Sequence, residues 1–140
     1  MTRKDARAAA VQLLYEFEFH RDENPVSFFD FSQQQFEAEF DAYTARLFFG
    51  VLEHGREIDE IIAAHSQNWR LDRINKISRA ILRLAVFEML FDSEVETPIA
   101  INEAVELTKK YGADEDYQFV NGLLGAVARD HGLDAEQAEQ

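Results

Sequence analysis

Four residues near the amino terminus have the types and the spacing that phosphate contact and base stacking would require. Lys4, Arg7, Val11 and Tyr15 follow one another at steps of three and four residues, so on a helix they lie along one border of its apolar face. Cations followed by an aromatic ring can contact phosphates and stack on a base. The structural alternative is a solvated helix start for Lys4 and Arg7 and an edge-of-core position for Tyr15. Spacing alone favours this alternative.

A second candidate is Phe119, an aromatic residue that does not fit the apolar stripe of its own helix. At roughly 100° per residue, it points well away from Val120 and Leu124 and shares a side with Glu115 and Gly122. A large ring beside a carboxylate and a bare backbone patch indicates a contact surface. The alternative is that Phe119 belongs to the core against another helix, and spacing alone favours it because most phenylalanines are buried.

Catalysis through thiolates, metals or a triad has no support in the sequence. The chain has no cysteine, which excludes disulfides, thiolate metal ligands and cysteine nucleophiles. His54 and His65 lack the spacing of a metal-binding pair. No Ser/His/Asp set stands in a nucleophile context, and no glycine-rich phosphate loop is present. We therefore predict no enzyme activity, no metal site and no cofactor.

The charge balance opposes nucleic-acid binding by the chain as a whole. There are 27 acidic and 14 basic residues, which gives a net charge of −13. Because neutralisation of phosphates is the main source of affinity for nucleic acid, any such contact must be local or assisted by a basic partner. The sequence has no signal-peptide pattern and no apolar run of membrane-spanning length. We expect a soluble protein of the cytoplasm.

The apolar pattern is helical throughout, and 140 residues can form one domain with a substantial core. The predicted helices cover residues 4–20, one or two short segments in 21–40, one long helix over 41–64, a central helix over 76–91, and a hairpin over 98–128. The hairpin starts at Pro98, turns at Gly112 and uses Asp114 as the N-cap of its second helix. Residues 1–130 form the predicted domain, and residues 131–140 a disordered acidic tail.

Three segments, in order along the chain, carry a family resemblance. They are ARAAAVQLLYEFEF near the amino terminus, LDRINKISRAILRLAVFEML in the middle and AINEAVELTKKYGADEDYQFVNGLL near the carboxyl end. Together they resemble the NusB family of bacterial transcription antitermination factors over nearly the whole chain, apart from residues 23–40 and the tail after Ala128. The resemblance implies an all-α fold of about seven helices in two packed bundles.

The resemblance also implies an RNA-binding adaptor. NusB-family proteins bind boxA, a short single-stranded element of ribosomal RNA transcripts, as a heterodimer with the ribosomal protein NusE, and they act with other Nus factors on RNA polymerase. A basic ribosomal partner would compensate for the acidic charge of this chain. The alternative is a helical protein-binding or homodimeric module. An RNA cytosine-5 methyltransferase, which carries a similar helical module, is rejected because this chain has no cysteine nucleophile.

The resemblance assigns binding roles to particular residues. The RNA face would lie across a groove between the first and last helices and would comprise Arg3, Lys4, Arg7, Tyr15 and Phe119. Its basic segment is short and is interrupted by Asp5, so we expect weak RNA binding by the protein alone. The ribosomal partner would contact the region near Ser78 and the 113–116 turn, with Glu115 as the principal contact.

Overall fold

The computed structural model describes residues 2–35, 40–66, 73–92, 94–113 and 115–133. Within these ranges the chain forms seven α-helices and no strand, which confirms the predicted fold class. The helices are α1 (Arg3–Phe17), α2 (Pro25–Gln35), α3 (Ala42–Glu53), α4 (Gly55–His65), α5 (Lys76–Leu90), α6 (Thr97–Tyr111) and α7 (Asp116–Asp130). The proposed cap Asp114 and tail residues 134–140 lie outside the described residues, so both remain predictions.

Helix α5 is the element against which the others pack. It contacts α1 and α3 as well as α4, α6 and α7. Its residues from Ala80 to Met89 are all buried except Arg83, as expected for a helix that is apolar on most of its circumference. Helices α1 to α3 form one bundle against α5, and α4, α6 and α7 form the second. The predicted two-bundle arrangement agrees with this packing.

The long helix predicted over 41–64 is wrong, because the chain breaks at His54. Asp41 caps α3 as predicted, accepting a hydrogen bond from the backbone N–H of Tyr43 at 2.7 Å. His54 leaves helical geometry with φ −102° and ψ 17°, and its ring stacks on Phe91 at 4.2 Å between centroids. The break lets α4 turn Ile58 and Ile62 into the core. Both helices follow the same helical periodicity, so the apolar pattern does not show that the chain changes direction at His54.

Two glycines mark places where helices approach closely. A Cβ on Gly50 would lie 2.3 Å from the ring Cζ of Phe87, so α3 and α5 require glycine there. Gly112 has extended geometry with φ −90° and ψ −171°, and a Cβ there would lie 2.6 Å from Oγ of Ser78. The hairpin turn between α6 and α7 is therefore seated directly on α5.

Candidate nucleic-acid interface

Arg3 and Lys4 are exposed in the first turn of α1, where the sequence places its first cations. The guanidinium carbon of Arg3 lies 3.8 Å from the centroid of the Tyr43 ring. Nζ of Lys4 lies 2.7 Å from the carboxylate of Glu106 and 3.7 Å from that of Glu103. The hydrogen bond to Glu106 is the main cause that raises the pKa of Lys4. A phosphate that binds Lys4 must compete with these two carboxylates.

Arg7 does not belong to this surface, and its predicted role as an RNA contact is corrected. Its side chain is buried, and Nε lies 3.0 Å from both carboxylate oxygens of Glu88, which is itself fully buried on α5. Burial lowers the pKa of Arg7, but the hydrogen bond and charge of Glu88 outweigh it, so the pKa is raised overall. A buried carboxylate in an apolar helix requires such a partner. In the sequence, the sign of this buried ion pair was Glu88, a carboxylate within the apolar run LRLAVFEML.

Tyr43 connects the buried ion pair to the surface. Its hydroxyl donates to Glu88, and burial together with this bond raises the pKa of Tyr43 to about 12. The same ring carries Arg3 on its face. Arg7 and Glu88 thus fix the ring of Tyr43, and that ring fixes the guanidinium of Arg3, which remains exposed.

Tyr15 lies on the same side of α1 as Lys4, about 16 Å further along the helix at 1.5 Å per residue. Its ring is partly exposed and meets Phe19 edge to face at 5.4 Å between centroids. Phe19 is 57% exposed, and Nζ of Lys76 lies 4.6 Å from its centroid. The strip beginning at Lys4 therefore ends in two aromatic rings and a third cation.

Phe119 is the residue of α7 that the sequence analysis assigns to the RNA face. It is partly buried, packs against the core, and lines a depression formed by α7 and the end of α4, including His65 and Arg129. No residue of α1 lines this depression, and both α1 and α7 pack on α5. The predicted RNA groove between the first and last helices stays a prediction, and Phe119 itself reaches the surface at this depression.

The end of α6 supplies basic and aromatic residues that the sequence analysis assigned only to helix termination. Lys110 and Tyr111 line a depression together with Lys4. Nζ of Lys109 lies 4.8 Å from the centroid of Tyr117, the second residue of α7. The sequence KKY at a helix end beside the basic start of α1 was a usable signal, but only the fold brings the two segments together.

The two predicted partner contacts differ in accessibility. Glu115 is exposed before α7 and makes no side-chain cap bond to that helix. Ser78 is fully buried, and its Oγ donates to the carboxylate of Asp116 at 2.7 Å. The prediction that Ser78 is a surface contact is therefore corrected. Ser78 instead holds the start of α7 on α5. It positions Glu115, the neighbour of Asp116, instead of meeting a partner itself.

Other site types find no support in the part of the chain that the structure describes. Those residues contain no group of three or more histidines, aspartates or glutamates arranged to hold a metal ion. None of the helices seen there is both long and apolar enough to cross a membrane.

The fold and this surface define an all-helical binding protein whose exposed cations sit among aromatic rings on a strongly acidic chain. The sequence model of the NusB family matches residues 4–129. The chain belongs to the NusB family, which comprises transcription antitermination factors and not enzymes.

Curated relatives match over almost their full length. The chain is 39% identical over 131 residues to the transcription antitermination protein NusB of Bacillus velezensis, covering 93% of this chain and 98% of the relative. It is 42% identical over 130 residues to the protein of the same name from Lachnoclostridium phytofermentans, covering 91% and 98%.

Solved structures agree with the family assignment. T. maritima NusB superposes with a TM-score of 0.82 at 30% identity, covering all of this chain and 99% of that one. A crystal structure of the antitermination factors NusB and NusE in complex with double-stranded RNA superposes with a TM-score of 0.78 at 33% identity, covering 91% and 96%.

Proposed function

We propose that this protein binds the boxA element of ribosomal RNA transcripts together with the ribosomal protein NusE, and that it acts with other Nus factors on RNA polymerase in the cytoplasm. The observation that carries the proposal is the likeness, at 33% identity and a TM-score of 0.78, to a NusB solved with NusE and RNA. The proposed RNA-contacting residues are Arg3, Lys4 and Tyr15 on α1 and Phe119 on α7, with Arg7 holding Arg3 in place through Tyr43.

The charge of the chain explains why a partner is needed. With a net charge of −13, and with Lys4 already paired to Glu106 and Glu103, the chain has few cations available for phosphates. A basic protein bound to its acidic surface neutralises that surface and adds phosphate contacts of its own. RNA and NusE should therefore bind cooperatively, and each should tighten the other by the same factor.

The RNA arm of the proposal is tested by fluorescence anisotropy with boxA RNA and a scrambled RNA, with and without NusE. We expect weak binding by the protein alone, tighter and sequence-selective binding with NusE, and an affinity that falls steeply with salt. Phe119→Ala should lose about 1–3 kcal/mol of RNA binding if a base stacks on the ring. Affinity for boxA equal to that for scrambled RNA in the presence of NusE would reject the proposal.

The partner arm is tested by titrating NusE into wild type, Glu115→Lys and Glu53→Lys. Both variants change the net charge equally, and both positions are exposed, but only Glu115 lies at the proposed contact. We expect Glu115→Lys to weaken NusE binding and Glu53→Lys to leave it nearly unchanged. Equal affinities for all three proteins would remove Glu115 from the interface and leave it only its favourable interaction with the α7 dipole.

A further inference from the structure

A groove between the end of α1 and α2 exposes aromatic surface beyond the residues of the proposed RNA face, with Phe19, which contacts Tyr15, at the border between the two. Its volume is about 370 Å³. Phe28 and Ser32 form its buried floor, while Phe19 and Phe31 border it with 57% and 62% of their surfaces exposed. Two exposed phenylalanines beside one groove are unusual on a monomer surface and indicate an interaction site.

The sequence of α2 creates this exposure. Helix α2 buries Phe28 and Phe29 against the aromatic cluster around Phe48, with ring centroids 6.0 and 5.7 Å away. Phe31 lies two residues beyond Phe29, roughly 200° further around the helix, so it faces away from Phe29 and stays largely exposed. The core of this protein therefore accounts for Phe28 and Phe29 but leaves Phe31 without a burial role.

The charges around the groove indicate the class of partner. Glu16 and Glu23 line it, and His20, the basic group among its lining residues, is paired with Glu23. Lys76 does not line the groove but lies over the ring of Phe19 at its border. Carboxylates in this position repel phosphates and attract lysine and arginine. A second copy of this chain would bring another net charge of −13 against the same rim. Both considerations favour a basic polypeptide over RNA and over self-association.

We propose that this groove is a docking site for a basic protein segment that inserts an apolar side chain between Phe19 and Phe31 and places lysine or arginine beside Glu16 and Glu23. Aromatic anchors at the centre of a groove, with charged groups at its rim, are the usual composition of a protein-binding hot spot. None of the groove residues lies at the α5–α7 edge proposed for NusE, so the site is additional to that interface.

The test is anisotropy with a labelled amphipathic peptide of leucine and lysine, and the full chain as the receptor. Two matched peptides replace either the leucines with serine or the lysines with glutamate. We expect binding of the first peptide only. Phe31→Ala should weaken it about tenfold or more, and Glu16→Gln with Glu23→Gln should weaken it and reduce its salt dependence.

Two variants on α2 provide matched controls. Val26 is 57% exposed but does not line the groove, and Asp30 is an exposed carboxylate outside it. Val26→Ala and Asp30→Asn should leave peptide affinity unchanged. Because Phe31 is largely exposed, Phe31→Ala should keep the wild-type circular dichroism, and amide shifts at Phe31 and Ser32 upon peptide addition give a readout that needs no variant.

Several results would overturn this inference. Equal peptide affinity in wild type and Phe31→Ala would remove the groove as the binding site. Dimerisation that Phe31→Ala abolishes would assign it to a second copy, and amide shifts caused by boxA RNA would assign it to RNA. Weaker NusE binding by Phe31→Ala would make the groove part of the NusE interface. The effect of Phe119→Ala on boxA binding tests the proposed function and not the groove, because Phe119 does not line the groove.

Discussion

Arg7 of α1 and Glu88 of α5 are 81 positions apart in the sequence, yet they form a two-pronged ion pair in the protein interior. Nε of Arg7 lies 3.0 Å from both carboxylate oxygens, and Nη2 lies 3.0 Å from Oε2. This pair sets the position of α1 on the central helix. It also determines where the exposed cations that precede Arg7 in the same helix meet solvent.

Removing one member of this pair should destabilise the protein strongly. Arg7→Ala leaves Glu88 buried without its counter-charge, and we expect the free energy of unfolding to fall by about 3–5 kcal/mol in urea denaturation. The double variant Arg7→Met with Glu88→Leu removes both charges and should recover most of the loss. A single-variant loss below about 1 kcal/mol would show that water reaches Glu88.

Tyr43 should make the protein sensitive to alkaline pH. Its pKa is about 12 in the folded protein, against 10 in an unfolded chain. Between these values the unfolded state has released the proton that the folded state retains. The contribution of Tyr43 to stability is therefore fully present below pH 10 and is lost as the pH rises through 12. The loss should reach about 2–3 kcal/mol.

The matched variants for this titration are Tyr43→Phe and Tyr111→Phe. Urea unfolding is followed at several pH values between neutral and strongly alkaline. Tyr43→Phe should be less stable at neutral pH, because Glu88 loses a hydrogen bond, but it should lose less further stability above pH 10. The exposed Tyr111→Phe should keep the wild-type profile. Identical slopes in all three proteins would mean that Tyr43 ionises as in an unfolded chain.

Releasing Lys4 from its carboxylate should strengthen RNA binding. Glu106→Gln replaces the carboxylate that lies 2.7 Å from Nζ of Lys4 with a neutral amide, so a phosphate no longer competes with that negative charge. We expect boxA affinity to rise by up to about fivefold and the salt dependence to become steeper. Glu53→Gln, which changes the net charge equally, should have a smaller effect. Equal gains in both variants would attribute the change to overall charge.

Gly112 and Gly122 should respond oppositely to alanine. At Gly112 the new methyl group would lie 2.6 Å from Oγ of Ser78 and 2.9 Å from the carbonyl oxygen of Thr108, so we expect a loss of about 1–3 kcal/mol of stability. At Gly122, inside α7, nothing lies within 4 Å, and alanine should add about 0.5–1 kcal/mol. Thermal unfolding of the two variants measures both. A stabilising Gly112→Ala would show that the turn does not rest on α5.

Periodicity was sufficient for features that depend on local sequence. The central helix, the hairpin with Pro98 in its first turn, and the capping of α3 by Asp41 are all present as predicted. These features depend on propensities and hydrogen bonds within a few residues. The lysine at position 4 was also placed correctly at the surface.

The errors share a cause, which is that they depend on contacts between distant segments. Arg7 and Ser78 are polar residues whose partners, Glu88 and Asp116, lie 81 and 38 positions away, so their burial could not be read from local spacing. At the break at His54 the chain passes from α3, which packs on α1 and α5, to α4, which packs on α5 and α7. Phe119 was correctly found to lie off its own stripe, but its surroundings depend on the end of α4.

The shared position of α5 has a consequence for how the protein opens. Because α5 supplies a wall to both bundles, disorder in either bundle uncovers one side of α5. Separation of one bundle from α5 would expose the apolar side chains on that side of the helix. The amides of α5 should therefore exchange with solvent only through global unfolding, while α2, which packs on α1 and α3, can open alone.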